Sequence, residues 1–390
     1  MENSGPLVMV LAGEASGDEH AAQVVAALRE RRPQLRFVGL GGPALKAQGV
    51  ELLAGLDDLA VMGFAEVVGR LPWFLNLERR LGSILTEGKV DLLLPVDYPG
   101  LNLRMTRRAA KAGVPTLYYI GPQVWAWKAH RARKLAHDAQ IVAVILPFEA
   151  DLYRRHGGTS HFVGHPLLDR PGPTRSRDTF CRAVGLDPAR PILALFPGSR
   201  RQELRRHLDP FLGAAARLQE EISHLQTAVA LAPGVDRSFL HAEVQAAWAA
   251  SGGGQGAAPT LLEESHELLH HARGALVKSG TSTLEAALAG TPFVVAYKTH
   301  PITYVMARRL VKVEHVALAN LVAGRRVVPE LLQDQVRPKA LVRALHPLLL
   351  DGPQRTEVLT GLAGVRARLG EPGAAGRVAD LALELLDASL

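Results

Sequence analysis

The chain has little cysteine, no long apolar run and no paired-aspartate (DxD) metal motif. Its single cysteine, Cys181, excludes an internal disulfide and is typical of a protein in a reducing compartment. The longest uncharged stretch, 112–127, is interrupted by two glycines and two prolines, so it cannot form a membrane-spanning helix. The first residues contain no basic and apolar leader before the first strand-like run, and we therefore expect no signal peptide.

Basic residues outnumber acidic ones in this chain. Lysine and arginine total 45 against 38 for aspartate and glutamate, which gives a net charge of +7 at neutral pH. Nucleic acid, anionic lipid or phosphorylated substrates are all compatible with such a charge. However, the basic residues are dispersed among acidic ones, and the chain lacks zinc-finger spacing, an aromatic RNA-binding strand and a basic arm. We therefore expect no nucleic-acid partner.

Apolar runs of strand length alternate with helical patterns along most of the chain. The strand-like runs lie at 7–11, 37–40, 92–96, 116–120, 141–146, 192–196, 227–231, 275–277 and 293–297, and the helical patterns at 20–31, 43–48, 101–112, 208–222, 237–250 and 284–288. This alternation, with continuous apolar strands, predicts an α/β fold of parallel sheets covered by helices on both faces.

The length of 390 residues favours two domains. A segment rich in proline, arginine, aspartate and glycine at 169–190 is typical of a linker. We predict an N-terminal Rossmann-like domain at 1–168, a C-terminal one at 191–350, and helices at 351–390 that pack back towards the N-terminal domain. A crevice bordered by the carboxyl ends of the strands is the expected place for any chemistry.

Two loops of the N-terminal half carry acidic residues directly after apolar strands. The first contains Gly13, Glu14, Ser16, Gly17 and Asp18, and it matches neither the dinucleotide fingerprint nor the GxxxxGK[ST] phosphate loop. Its carboxylates suit sugar hydroxyls better than a pyrophosphate, so we expect this loop on the side of the site that binds a sugar acceptor. The alternative is a glycine turn in which Asp18 caps the next helix.

The second acidic loop is VDYPGLN at 96–102. Asp97 ends a strongly apolar run and precedes a Pro-Gly turn, which places it at the edge of the crevice. Partial desolvation there would raise the pKa of its carboxyl and make it a better general base. The alternative is an aspartate that makes a turn or a helix cap.

Two loops of the C-terminal half carry the donors that a phosphate needs. Gly198 and Ser199 offer backbone and hydroxyl donors, and Arg200 offers a planar fork that can bind a phosphate through two hydrogen bonds. A second loop of small residues opens a later helix; its members are Ser279, Gly280, Thr281 and Ser282. Together the two loops predict a clamp on a diphosphate.

Glu285 lies one turn into the helix that follows the second loop. From there its carboxylate would reach the hydroxyls of a ribose whose phosphates lie at the helix start, and the combination indicates a sugar nucleotide. The alternative is that Glu285 only favours the helix dipole. Because the chain has no DxD motif, glycosyl transfer without a metal or cofactor is favoured.

One further motif has an ordinary structural explanation. His266, Glu267 and His270 form HExxH, the zinc-protease motif, but no third ligand follows at a familiar interval, so we expect a surface helix and no metal.

The apolar segment 61–75 is followed by two arginines. It either joins the core or lies on a membrane surface and contacts acyl chains. Its candidate contact residues are Met62, Phe64, Val68, Leu71, Trp73 and Phe74.

The motifs together resemble the lipid-A-disaccharide synthase family, which has the GT-B fold of two Rossmann-like domains with parallel sheets facing across a cleft. The matching segments are GEASGD (13–18), FVGLGGP (37–43), LAVMGFAEVVGRL (59–71), VDYPGLN (96–102), GPQVWAWK (121–128), LPFE (146–149), FVGHPL (162–167), PGSRRQE (197–203), SGTSTLEAAL (279–288) and RRLVK with LANLVAGR (308–325). They occur in order over most of the chain.

The resemblance implies a reaction. The family joins UDP-2,3-diacylglucosamine to 2,3-diacylglucosamine 1-phosphate (lipid X) in a β(1→6) linkage, with inversion, and releases UDP. By this resemblance Asp97 deprotonates the primary hydroxyl of the acceptor, Arg200 stabilises the departing diphosphate, and Asn320 matches a residue tied to activity. Trp125 and Trp127 are then expected on the acceptor side. The chain departs from the family at Gly100, where a second aspartate is common, and at Gln123, where serine is more usual.

Because both substrates are lipids, the resemblance favours membrane contact by the segment 61–75. The expected location is cytoplasmic, peripherally associated with the inner membrane, and a homodimer is left open. Two rival functions remain: another GT-B enzyme, such as an N-acetylglucosaminyltransferase or a UDP-sugar epimerase, and a catalytically inactive relative that binds sugar nucleotide or lipid.

Overall fold

The computed structural model describes residues 5–59, 64–122, 129–253, 257–300, 304 and 314–388. The chain divides into two compact units. Unit 1 comprises Met1–Asp169 and Leu369–Leu390, and unit 2 comprises Arg170–Arg368. Each unit contains one sheet whose paired strands are all parallel, so the prediction of two Rossmann-like α/β units is confirmed.

The strands of each unit form a single sheet. Those of unit 1 are β1 (Leu7–Ala12), β2 (Arg36–Gly41), β3 (Glu51–Gly55), β4 (Leu92–Val96), β5 (Leu117–Tyr119), β6 (Ile141–Val144) and β7 (Ser160–Phe162). Those of unit 2 are β8 (Ile192–Phe196), β9 (Gln226–Ala230), β10 (Thr260–Leu262), β11 (Gly274–Lys278), β12 (Phe293–Tyr297) and β13 (Glu330–Leu332). The central strands β4 and β8 are buried at every residue, because helices cover both faces of the sheet.

Helices connect the strands. Unit 1 contains α1 (Ala15–Arg31), α2 (Pro43–Ala47), α3 (Leu56–Leu59), α4 (Phe64–Thr86), α5 (Pro99–Ala112), α6 (Ala129–Asp138) and α7 (Glu149–Arg154). Unit 2 contains α8 (Arg177–Ala183), α9 (Arg201–Glu221), α10 (Arg237–Ala250), α11 (Ser265–His271), α12 (Ser282–Leu288), α13 (Leu318–Ala323), α14 (Pro338–Leu349) and α15 (Pro353–Arg368). Short 3₁₀ turns lie at Pro166–Asp169 and Gln333–Gln335.

The end of the chain contributes to both units. Helix α15 packs against α12 and α13 of unit 2. The last helix, α16 (Ala374–Ala388), belongs to unit 1 and packs against α1, where Val378, Ala379, Ala382 and Leu386 are buried in the core beside the central strands. The segment predicted as a linker contains α8, which belongs to unit 2. Among the described residues, no helix combines the length and apolar character that a membrane crossing requires.

Both sheets have a topological switch point. The order in unit 1 is β3-β2-β1-β4-β5-β6-β7, and that in unit 2 is β10-β9-β8-β11-β12-β13. In each case the chain first builds outwards on one side of the first strand and then resumes on its other side. Ligands of open α/β sheets bind outside the carboxyl ends of the strands at such a point. The relevant loops therefore follow β1 and β4 in unit 1, and β8 and β11 in unit 2.

Candidate active site

The loop after β4 holds Asp97 in an unusual backbone conformation. Asp97 and Tyr98 both have φ of 46°, in the left-handed region that residues other than glycine seldom adopt. The Asp97 N–H donates to the carbonyl of Tyr119 at 3.0 Å. Its carbonyl accepts from Asn102 Nδ2 at 2.7 Å and from the Tyr118 hydroxyl at 2.8 Å. These bonds from surrounding elements hold a conformation that costs on the order of 1–3 kcal/mol per residue, as is common at functional sites.

The same position changes the acidity of Asp97. Burial of the carboxyl, followed by the negative charge of Glu14, raises its pKa to about 6, although a hydrogen bond from the Tyr98 backbone opposes the shift. A carboxyl with this pKa is ionised at neutral pH and is a stronger base than an exposed aspartate. Register explains the proximity of Glu14, because Ala12 of β1 pairs with Val96 of β4.

The loop after β1 packs closely against the Asp97 loop. A side chain at Gly13 would lie 2.3 Å from ring atoms of Tyr98, so the Tyr98 ring covers this glycine. Glu14 and Ser16 are exposed, whereas Gly17 is buried at the start of α1. The exposed residues of this loop are thus available to a ligand, and the glycines permit the close packing.

Asp18 has a structural function within unit 1. It is 3% exposed. Its Oδ1 accepts from the backbone N–H groups of Gly42 and Leu45 at 2.7 and 3.2 Å, and its Oδ2 accepts from that of Ala44 at 2.9 Å. The side chain therefore caps the first turn of α2 from its place in α1. The cap is thus at α2 and not at the helix that follows the loop, which differs from the capping alternative, and the carboxylate has no unbonded oxygen for an acceptor sugar.

In unit 2 the two predicted phosphate loops are neighbours. Strand β11 pairs with β8, with Val277 opposite Phe196, so the loops that follow them begin at the same edge of the sheet. Gly198 has φ of 126°, which favours glycine, and the Arg200 side chain is 81% exposed with one weak contact, 3.5 Å, to Glu203. Arg200 is therefore free to contact an anion.

Glu203, in the first turn of α9, connects these two loops. Its carboxylate accepts from the Ser199 N–H at 3.2 Å and lies 2.9 Å from Lys278 Nζ at the end of β11. Burial opposes ionisation, but the hydrogen bond and charge of Lys278, together with the Ser199 N–H, lower the pKa of Glu203 overall. No sequence pattern identifies this residue as functional, because its partner Lys278 lies far along the chain.

His207 is a second residue that no sequence pattern identifies as functional. It is 1% exposed, and burial lowers its pKa to about 4, so the ring is neutral at physiological pH. Its Nδ1 donates to the carbonyl of Glu203 at 2.8 Å, and its Nε2 accepts from the Lys298 N–H at 3.1 Å. The ring thereby ties α9 to the residue that follows β12.

The loop after β11 is held on one side. The Ser279 N–H donates to the carbonyl of Ala296 at 3.0 Å, and its hydroxyl donates to that of Val316 at 2.8 Å. Thr281 is exposed and Ser282 is half-buried at the start of α12. Gly280 links these residues. The hydroxyl-bearing side of the loop is therefore accessible, while Ser279 anchors its base.

Glu285 has a protein partner. Its carboxylate accepts from Arg170 at 2.8 Å, and its side chain is 25% exposed. A ribose would therefore have to share or displace this ion pair. Partly exposed pairs of this kind contribute little to stability, about 0–1 kcal/mol, so the exchange is not costly.

Asn320 is completely buried and fully hydrogen-bonded. Its Oδ1 accepts from the N–H groups of Val327 and Val328 at 2.7 and 3.0 Å, and its Nδ2 donates to the Val328 carbonyl at 3.0 Å and to Glu330 at 2.7 Å. Glu330 in turn accepts from the N–H groups of Val316 and the residue after it, at 3.0 Å each. Asn320 therefore positions the segment that Ser279 contacts, and its amide has no free group for a substrate.

The HExxH segment, on α11, packs against the start of unit 2. Glu267 accepts from the N–H and the hydroxyl of Thr174 at 2.9 and 2.8 Å. His266 Nε2 lies 2.9 Å from the carbonyl of Pro171, and the ring of His266 packs edge-to-face against that of His270 at 4.7 Å. No cluster of three metal-binding side chains occurs among the described residues. These contacts give the motif a structural explanation.

Several predicted contact residues lie outside what the structure describes. They are Met62, Trp125 and Trp127, together with the side chains of Phe64 and Val68. In the described part of α4, Leu71 is 51% and Leu75 43% exposed. Trp73 and Phe74 are half-buried, with rings edge-to-face at 5.0 Å, and both pack against the core of unit 1. From residue 69 onwards, the exposed large apolar side chains of α4 are thus leucines rather than the aromatic residues.

Two Rossmann-like units, each with its candidate ligand loops at a switch point, define this chain as a GT-B protein, the class of many glycosyltransferases and sugar-nucleotide epimerases. A UDP-N-acetylglucosamine 2-epimerase from Neisseria meningitidis aligns with a TM-score of 0.62 and 12% identity, over 98% of this chain and 100% of that one. MurG from Acinetobacter baumannii aligns with a TM-score of 0.57 and 15% identity, over 97% and 99%. At these identities the likeness concerns the fold.

Sequence similarity identifies the family within this class. The family profile described as Lipid-A-disaccharide synthetase matches residues 8–365. The lipid-A-disaccharide synthase of Myxococcus xanthus is 43% identical over 98% of both chains, and that of Acidobacterium capsulatum is 41% identical over 98% of this chain and 97% of its own. The chain belongs to the lipid-A-disaccharide synthase family. It is a glycosyltransferase of lipid A disaccharide synthesis, with a nucleotide sugar and a lipid acceptor as substrates.

Proposed function

We propose that the enzyme transfers 2,3-diacylglucosamine from UDP to the primary hydroxyl of 2,3-diacylglucosamine 1-phosphate, with inversion and a β(1→6) linkage. The observation that carries this proposal is the Asp97 carboxyl, fixed at the switch point of unit 1 with its pKa raised to about 6. A base with this pKa is ionised at cytoplasmic pH and remains strong enough to accept a proton in the transition state.

Asp97 is the general base in this mechanism. Its carboxylate accepts the proton of the acceptor hydroxyl while the hydroxyl oxygen attacks the anomeric carbon of the donor. The bond from that carbon to the diphosphate breaks on the opposite face, which inverts the anomeric configuration. Burial, together with the negative charge of Glu14, raises the pKa of the carboxyl and keeps it basic. The exposed part of the loop after β1, including Ser16, contacts the acceptor sugar.

The loops of unit 2 bind the donor. Arg200 contacts the diphosphate and stabilises the charge that develops on it as UDP departs. The remaining donor contacts are Gly198, Ser199, Ser279, Gly280, Thr281, Ser282 and, on the ribose, Glu285. The N. meningitidis epimerase of the same fold was solved bound to UDP-GlcNAc, which supports a UDP-sugar as the donor. Asn320 acts by positioning the neighbouring segment rather than by touching the substrate. No step requires a metal.

The reaction itself is the test of this proposal. Purified enzyme is incubated with synthetic UDP-2,3-diacylglucosamine and lipid X, and the products are identified by mass spectrometry. We expect the tetraacyl disaccharide 1-phosphate and UDP, at a rate that EDTA does not change. Turnover of UDP-N-acetylglucosamine instead would contradict the proposed donor, and UDP binding without turnover of any acceptor would indicate an inactive relative.

We also propose that the exposed face of α4 contacts the membrane that holds both lipids. Leu71 and Leu75 lie one helical turn apart and are exposed, and the exposed arginines Arg79 and Arg80 follow on the same helix. Apolar side chains beside cations are typical of helices that lie at an anionic membrane surface. This contact would make the enzyme a peripheral protein of the cytoplasmic face of the inner membrane.

Flotation with anionic vesicles tests the membrane contact. Leu71→Ser combined with Leu75→Ser should reduce binding, because it removes apolar area without opening the core. Leu350→Ser, at an equally exposed leucine of unit 2, is the matched control and should bind as the wild type does. Equal binding by all three proteins would exclude α4 as the contact.

A further inference from the structure

A basic groove runs between α5 and α6 of unit 1. It consists of two adjoining depressions of about 440 and 560 Å³, with apolar residues such as Leu103 and Leu135 in its lining. Helical spacing brings charged side chains to its two walls. These are Arg104, Arg107 and Lys111 on α5, and Arg131, Arg133, Lys134 and Asp138 on α6, where His137 also lines the groove.

Most of these cations lack an anionic partner. Arg104 is paired with Glu78 at 2.8 Å, and Asp138 lies 3.0 Å from His137. Within the described part of the chain, the other five cations have no carboxylate within ion-pair distance. Five unpaired cations around one concave surface repel one another and create a positive potential that an anion would relieve.

The groove begins where the acceptor is expected to lie. Its lining includes Pro99 and Gly100, the first residues of α5, which follow Asp97 and Tyr98 directly. Arg104 and Arg107 lie four and seven residues beyond Gly100, which are rises of about 6 and 10 Å along the helix. A sugar whose primary hydroxyl is at Asp97 would therefore extend its far end towards the cations of the groove.

We propose that this groove binds the phosphomonoester of the lipid acceptor. This inference rests on the proposed function, in which the acceptor carries a phosphate at its anomeric carbon and presents its primary hydroxyl to Asp97. Arg107 and Lys134, on opposite walls, donate charge-assisted hydrogen bonds to the phosphate oxygens. The groove then selects the acceptor, whereas the loops of unit 2 select the donor.

The test compares two acceptors in nonionic detergent micelles, which contain no anionic lipid. With lipid X, Arg107→Ala combined with Lys134→Ala should raise the acceptor KM by about tenfold or more, because each lost charge-assisted bond weakens binding severalfold. The donor KM should stay near the wild-type value. With 2,3-diacylglucosamine, which lacks the phosphate, the wild type should already be impaired and the double variant should lose nothing further.

Lys46→Ala combined with Arg155→Ala, at two exposed cations outside the groove, removes the same number of charges and controls for the change in net charge, and thermal melts verify folding. An unchanged KM for lipid X, or an equal loss with both acceptors, overturns the inference. So does a double variant that loses binding to anionic vesicles but keeps its KM for lipid X, since the groove would then bind membrane phosphates. If the wild type does not turn over lipid X at all, the proposed function fails instead.

Discussion

At the switch point of unit 1 the loops carry Glu14 and Asp97, whereas at the switch point of unit 2 they carry Arg200 and Lys278. The two sheets have the same parallel architecture, and the loops leave the same edge of each. In unit 1 the nearby carboxylate adds to burial and raises the pKa of Asp97. In unit 2 the carboxylate of Glu203 is paired with Lys278, and the Arg200 side chain is exposed, with only a weak contact to Glu203.

The difference shows how one architecture supports two chemical tasks. A carboxyl becomes a better base when like charge and burial disfavour its ionised form, whereas a diphosphate needs cations and N–H groups that are already in position. The environment that makes a carboxyl a better base lowers the stability of the folded protein when that carboxyl is ionised. The cations of a diphosphate site, by contrast, can form ion pairs with neighbouring side chains. We therefore expect unit 1 to respond to substitution mainly in turnover and pH dependence, and unit 2 mainly in nucleotide affinity.

Asp97→Asn should have the largest effect. Loss of the general base is expected to reduce kcat by about 10²–10⁴-fold with little change in UDP affinity, because the proton is transferred only in the transition state. Steady-state kinetics and calorimetric titration with UDP measure the two quantities. An equal loss of UDP affinity would mean that Asp97 has a structural role.

Thermal stability provides the control for this variant. Asp97 has a folded-state pKa of about 6 against an ordinary value of 3.8, so the folded protein loses stability as pH rises between these values. Asparagine does not titrate. The variant should therefore have about the same free energy of unfolding as the wild type near pH 3.8, provided that its backbone conformation is kept. Between pH 3.8 and about 6, its free energy of unfolding should increasingly exceed that of the wild type.

Arg200→Ala tests the cationic side of the comparison. Loss of a charge-assisted contact to the diphosphate is expected to weaken UDP binding by about 10–100-fold and to lower turnover as well. Arg205→Ala is the matched control, since Arg205 lies in the second turn of α9, just after Arg200, but is paired with Glu243 at 3.2 Å. If both variants bind UDP as the wild type does, the diphosphate does not lie at this loop.

Asn320→Ala separates positioning from contact with substrate. The substitution leaves the N–H groups of Val327 and Val328 without their buried acceptor, and we expect a loss of about 1–3 kcal/mol in the free energy of unfolding. Turnover should fall together with the melting temperature. Lost turnover with an unchanged melting temperature would instead indicate that Asn320 contacts the substrate.

The sequence predicts the strands better than the connections. Strands β4, β8 and β12 and helix α10 have the bounds expected from the sequence, because apolar runs or periodic patterns end sharply at polar, glycine or proline residues. The sequence pattern predicts that helix α9 begins at residue 208, but the helix begins at Arg201. The predicted start is too late because the first turns of the helix are polar and Pro210 lies inside it. Tertiary packing outweighs a single unfavourable proline there.

The sequence predicts only part of the candidate site. Asp97 and Arg200 could be singled out because each follows a buried strand, which places it at the edge of a sheet. Glu203 and Asn320 could not be understood in this way, since their functions depend on partners such as Lys278 and Glu330 that only the fold brings near. The capping role of Asp18 likewise depends on α2, more than twenty residues further along the chain.

The smallest expected effects concern the pH profile of unit 1. Glu14→Gln removes the like charge beside Asp97, so its pKa should fall and the acid limb of turnover should move to lower pH. Gly100→Asp should move the acid limb to higher pH, because it adds a negative charge three residues from Asp97. The position has room for the new side chain, since a Cβ there meets no neighbour within 4 Å. The two shifts have opposite signs, and pH–rate profiles of the single variants measure both.

The Gly100→Asp substitution also tests which carboxylate can act as the base, since the sequence resemblance implies a second aspartate at this position in the family. It is placed in the Asp97→Asn background, where no carboxylate remains at residue 97. If only the strained, buried position activates a carboxyl, the double variant should stay as inactive as Asp97→Asn alone. Restored turnover would show that position on the sheet edge suffices, and that the burial of Asp97 tunes the reaction without being required for it.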